Sequence, residues 1–146
     1  MTPEGMVHAL RTVHALLRPG GAVIDVRPLP VDPDLGVQRG DRSGDPIEWV
    51  GVLGETDDGI EYRLADAAMA FEVAAGRFVR ESGEAFLLRR YADSLAELRG
   101  YFVKHWKDAV ISPATAEAIE RAAAAVRGPS RVVIREHVQI ARFRRL

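Results

Sequence analysis

The chain has 146 residues, 47% hydrophobic and 28% charged, with a formal net charge of -1; that size and balance suit a single globular domain and argue against a disordered segment or a broad nucleic-acid- or membrane-binding surface. It contains no cysteine, which excludes disulfides, thiolate catalysis and Cys-ligated zinc. No apolar run reaches the length of a membrane span and the amphipathic N-terminal stretch is not a secretory signal, so a cytoplasmic protein is expected.

Thr2, Pro3 and Glu4 form a helix start, with a hydroxyl N-cap, proline in the first turn and an acid beside it. Met6, Leu10, Val13 and Leu17 recur at helical spacing as one apolar stripe, and Pro19-Gly20-Gly21 ends the helix. Ala22, Val23, Ile24 and Val26 follow as a strand so continuously apolar that burial on both faces, in a parallel or mixed sheet, is expected. Residues 28–46 carry four prolines and three glycines and are expected to form a loop. IEWVGVLG and GIEYRL, around ETDD, are expected to pair as a hairpin covering 48–64. Asp66 then caps a helix running through Met69, Ala70 and Val73 to Gly76.

RFVRE and EAFLLRRY, joined across Ser82-Gly83, suggest a second hairpin. Ser94 to Glu97 is a capping box opening a helix with Leu95, Leu98 and Phe102 on one face. Ser112-Pro113 opens the last helix, striped by Ala116, Ile119, Ala123 and Val126 and closed by Gly128-Pro129. RVVIREHVQIARFRR alternates as a long strand, with Val132, Ile134, Val138 and Ile140 on one face, interrupted by Glu136. The fold class is therefore α/β or α+β, a mixed sheet with helices packed on it.

The run from Met6 to Pro28, MVHALRTVHALLRPGGAVIDVRP, resembles the fifth helix-to-strand unit of class I S-adenosylmethionine-dependent methyltransferases, where a helix ending in L-x-P-G-G leads into the fifth strand of a seven-stranded sheet. The later helices and the strand RVVIREHVQIARFRR resemble that family's C-terminal portion, including its final antiparallel strand. The family's Gly-rich donor loop and its ribose-binding acid have no counterpart here. GETDDG has the outer glycines of a phosphate loop, but Ile60 and Glu61 stand where lysine and a hydroxyl are needed.

The resemblance thus implies the C-terminal half of a Rossmann-like methyltransferase fold without its own S-adenosylmethionine site or other cofactor. Such a domain would act through self-association or through a small-molecule or protein partner. The alternative is a methyltransferase, or a fragment of one, completed by another chain or by upstream sequence, with S-adenosylmethionine as its cofactor. Thr2-Pro3 as a ready helix start favours the first. In the family the fifth strand lies between the fourth and the seventh, so the strand 22–26 is expected to present an apolar edge. That edge is covered either by a symmetry mate, giving a homodimer, or by the hairpin 48–64.

Asp25 and Arg27, at the end of that strand, are the candidate ligand pocket, since open α/β sheets bind ligands there; the alternative is ion pairing at the sheet margin. No catalytic set is recognisable, because Ser82, Ser94, Ser112 and Ser130 all fall in turn or cap positions. His8, His14, His105 and His137 show no metal-ligand spacing. Tyr91, Tyr101, Phe102 and Trp106 are read as core and rim of a helix, and Arg131, Arg135, Arg142, Arg144 and Arg145 as a solvated strand end rather than a phosphate site.

Overall fold

The computed structural model describes residues 3–55 and 60–146. Helices are packed on a sheet, as the sequence pattern requires. Contacts group the chain into two compact units, and the two longest strands, β5 (Phe78–Ala92) and β7 (Ser130–Arg145), contribute to both. The main sheet runs β1-β7-β2-β3, with β5 also pairing β7, and the β1–β7, β2–β7 and β2–β3 pairs are antiparallel.

The first unit holds α1 (Pro3–Leu16), β1 (Ala22–Pro28), α2 (Ile60–Ala74), β5 as far as Phe86, and β7 from His137. Thr2, read as the cap of α1, lies outside the described residues. Leu10 and Leu17 reach the core formed by Met69, Phe78, Ala141 and Phe143, whereas Val13 is on the exposed side. β1 pairs with β7 from Ala22↔Arg144 to Pro28↔Val138.

Burial of β1 on both faces is corrected by the structure. Val23, Asp25 and Arg27 face the covered side, while Ile24 and Val26 are 53% and 54% exposed. The polar side chains of Asp25 and Arg27 point inward because they meet one another and α2, so Ile24 and Val26 are left outside.

α2 overturns two further expectations. IEYRL, residues 60–64, forms its first turns and is not a hairpin strand, and Asp66 lies inside it instead of capping it. The turn at ETDD lies outside the described residues except for Glu55. α2 ends in a Schellman cap: Gly76 (φ +72°) and Arg77 donate N–H to the carbonyls of Val73 and Glu72 at 3.0 and 3.1 Å.

The second unit holds β2 (Asp34–Arg39), β3 (Ile47–Val52), β4 (Gly54–Glu55), α3 (Leu95–His105), β6 (Ala109–Val110), α4 (Pro113–Ala124), the end of β5 and the start of β7. Residues 28–46 are therefore not a loop throughout, for β2 lies among them with Leu35 and Val37 fully buried. β2 pairs with β7 on one edge and β3 on the other, so the hairpin expected over β1 does not form and its first arm, β3, pairs instead with β2.

Ser94 caps α3, accepting from the Glu97 N–H at 3.1 Å, and the Glu97 carboxylate accepts from the Asp93 N–H at 2.6 Å. Ser112 accepts from the Thr115 N–H at 3.1 Å to cap α4. Leu95, Leu98, Phe102, Ala116 and Ile119 close the core over Val132 and Ile134. Trp106 packs edge-on to Phe102 at 5.8 Å, and Tyr91 and Tyr101 lie at the rim.

β5 is continuous through Ser82 and Gly83, so the second hairpin does not form. Ser82 and Ser130 are accordingly strand residues rather than turn residues. Along β7 the buried positions include Val132, Ile134, Glu136 and Val138 and then shift to Ala141 and Phe143, leaving Ile140 37% exposed.

Gly36 lies where the neighbouring β3 leaves no room for a side chain on β2. The pairing jumps from Leu35↔Gly51 to Gly36↔Trp49, leaving Val50 as the bulged residue. A Cβ on Gly36 would lie 2.7 Å from the Glu48 carbonyl and 2.8 Å from the Trp49 ring. Gly36→Ala is expected to lower the unfolding free energy by about 2 kcal/mol. Gly44→Ala, where a Cβ meets nothing within 4 Å, should change it by less than about 0.5 kcal/mol. Urea unfolding of both variants checks this.

Candidate functional site

Residues two apart on a strand share a face, which sets Asp25 and Arg27 side by side on the covered side of β1. The Arg27 Nε lies 3.0 Å from one Asp25 carboxylate oxygen and 3.2 Å from the other. Its Nη1 donates to the Tyr62 carbonyl at 2.8 Å and its Nη2 to Asp66 at 2.6 Å, both on α2. Gln139 of β7, with its amide oxygen turned to the guanidinium, accepts from Nη2 and Nε at 3.1 and 3.2 Å.

Arg27 is 13% exposed and Asp25 18%, so the pair is largely withdrawn from water. Both sequence-derived site residues come together, and the ion-pairing alternative is also realised: Arg27 clamps α2 to β1. The same residues border a cleft of about 330 Å³ roofed by α2 and floored by β7 and its neighbours. Asp66 and Gln139 also belong to the site but are not legible in the sequence, because Asp66 has the local pattern of a helix cap and Gln139 stands in a strand with no motif around it.

A second polar cluster was also not foreseen. The Glu72 carboxylate has no exposed surface, yet Arg77 grips both its oxygens, with Nη2 at 3.2 Å from Oε1, and Arg11 of α1 reaches Oε1 at 3.2 Å. The Schellman cap creates this arrangement: the backbone turn at Gly76 returns Arg77 over the residue whose carbonyl its N–H binds. Hydrogen bonding from Arg77 holds the Glu72 carboxyl below the usual carboxylate range, against the opposing effect of burial.

On β5, Glu81 is likewise lowered by Arg144 first and then Arg142, at 2.6 and 2.7 Å. In the second unit the buried Glu136 binds Arg90 at 2.9 Å, and Arg90 also reaches the Tyr101 hydroxyl at 3.1 Å. Arg135 pairs with Asp34 at 2.8 Å and stacks over Trp49 at 4.1 Å. The C-terminal arginines are thus engaged by acids, an aromatic ring or, for Arg145, the Leu17 carbonyl, more than by solvent alone.

His8 and His14 lie on α1, His105 at the end of α3 and His137 on β7, and among the described residues no group of three or more acidic or histidine side chains is placed to share a metal ion. No helix among the described residues is long and apolar enough to cross a membrane. Comparison with protein-family models, with curated proteins and with solved structures gave no match.

Because the Glu72 carboxyl is lowered in the folded state, its stabilising effect is complete above the unfolded carboxylate value and is lost as pH falls through the folded one. Glu72→Gln is expected to cost about 2 kcal/mol at neutral pH. The gap between variant and wild type should narrow progressively as pH falls below the unfolded carboxylate value, because protonation then favours the unfolded wild type. Urea unfolding across that pH range measures it.

Proposed function

We propose that this chain is a methyltransferase-like scaffold of the cytoplasm, without an S-adenosylmethionine site of its own, that pairs with a second copy and holds a small ligand. The observation that carries the reading is the state of β1. It runs antiparallel to the C-terminal strand, as the resemblance implies for the family's fifth and final strands, and no strand among the described residues pairs with its other edge.

The Gly21 carbonyl accepts from the Arg145 N–H, and the Leu29 N–H donates to the His137 carbonyl, both of β7. Alternation along the ladder turns the N–H and C=O groups of Ala22, Ile24 and Val26 to the outer edge. Ile24 and Val26 are also exposed on the open face, beside Ile140. Such an edge is a template for another strand, and a twofold pair is the simplest closed way to cover it. In such a pair Ile24 stands across from the second copy's Val26, and Val26 across from its Ile24, so apolar side chains meet twice.

The same edge would serve the alternative reading, in which a donor-binding half on another chain, or upstream sequence, completes a methyltransferase. Two measurements separate the readings. Light scattering after size exclusion should give a dimer mass for the wild type and a monomer for Ile24→Lys with unchanged circular dichroism; a clean wild-type monomer overturns the assembly. Calorimetric titration with S-adenosylmethionine should be silent; micromolar affinity would show that the chain has a donor site after all.

A further inference from the structure

We infer that the cleft under α2 takes an amphipathic monocarboxylate, with Arg80 as the anchor for its anionic group. The inference rests on the ligand-binding part of the reading above and not on the pairing of β1. Arg27, the obvious cation at this cleft, is already enclosed by Asp25, Asp66, the Tyr62 carbonyl and Gln139. With two carboxylates around one guanidinium, that bank of the cleft is closed to a further anion.

Arg80 of β5 also lines the cleft, and it is different. The arginines around it in this unit, Arg11, Arg77, Arg142 and Arg144, each pair with a carboxylate, whereas among the described residues no acid lies within ion-pair distance of Arg80. Its guanidinium occupies the space that a Cβ on Gly83 would fill, so the glycine in mid-strand leaves room for that position.

The topology fixes the layout. β1 occupies one edge of β7 from Val138 to Arg144, and Glu81 meets Arg142 and Arg144 from β5. β1 and β5 therefore flank β7 on opposite sides here. Two strand spacings put the Arg27 bank and the Arg80 bank about 10 Å apart. Between them the lining is apolar: Met69 and Val73 come from α2, Ala141 and Phe143 from β7. A molecule with a short hydrocarbon or aromatic body and one carboxylate matches this order, its body on the apolar floor and its anion forked by Arg80. A dianion does not, because its second charge would approach Asp25 and Asp66.

Octanoate and octan-1-ol are the probes, titrated into the full chain and followed by calorimetry and amide chemical shifts. The wild type should bind octanoate about fivefold more tightly than the more apolar alcohol, the scale of an exposed ion pair. Arg80→Gln should remove that preference while leaving alcohol binding unchanged, and Gly83→Ala, which displaces the guanidinium, should weaken it. Ala70→Phe, on the exposed side of α2 at the cleft wall, should abolish binding of both. Equal affinity for acid and alcohol, or an Arg80→Gln variant that still prefers the acid, overturns the assignment of Arg80. Silence with both probes overturns the cleft as a ligand site. Ile24→Lys should bind octanoate like the wild type, so failure of the dimer and failure of the cleft are read separately.

Discussion

The 16 residues of β7 supply hydrogen-bond partners to β1, β2 and β5, so without this strand only the β2–β3 ladder of the main sheet would remain. Its sequence answers to both cores. Val132 and Ile134 are sealed into one, Ala141 and Phe143 into the other. Its pairings with β1 and β2 are distant along the chain, Ala22 meeting Arg144 and Asp34 meeting Arg135, so neither of these two ladders forms before the residues of β7 are present. The last strand is in this sense what the earlier elements wait for.

Charge is used here mainly to fasten elements. Arg27 ties α2 to β1, Arg11 and Arg77 hold Glu72, Glu81 joins β5 to β7, and Arg90 does the same for Glu136. Each buried carboxylate has its arginine from a neighbouring element or from a cap. Such pairs add little where they face water, but at Glu72 and Glu136 removing one partner would strand a charge inside.

The elements legible in the sequence were those whose local chemistry agrees with their surroundings. Ser94, Ser112 and Pro19-Gly20-Gly21 marked helix ends because caps act through residues only a few positions apart. The errors arose where a distant partner decided. Ser82-Gly83 looks like a turn, yet β7 offers pairing along β5 and the chain continues straight. Gly36 made 34–39 look like a loop, when glycine is needed there because β3 lies so close. GIEYRL alternates like a strand, but Ile60, Leu64 and Ala68 also recur at helical spacing, and packing against α1 selects the helix. At the candidate site, Asp25 and Arg27 were visible because i, i+2 neighbours share a strand face in any fold. Asp66, Gln139 and Arg80 were not, since their meeting depends on how α2 and β5 lie beside β1 and β7 within one unit.

The pairing of arginines has a consequence for how the molecule meets others. With a net charge of -1 and ten of its twenty cations seen paired with nearby acids among the described residues, the surface projects short-ranged dipoles more than a field that reaches into solvent. Diffusional encounters are then neither hastened nor deflected by long-range attraction, and their rate should vary little with ionic strength. Whatever discrimination this protein exercises must come after contact, from shape and the few groups left unmatched.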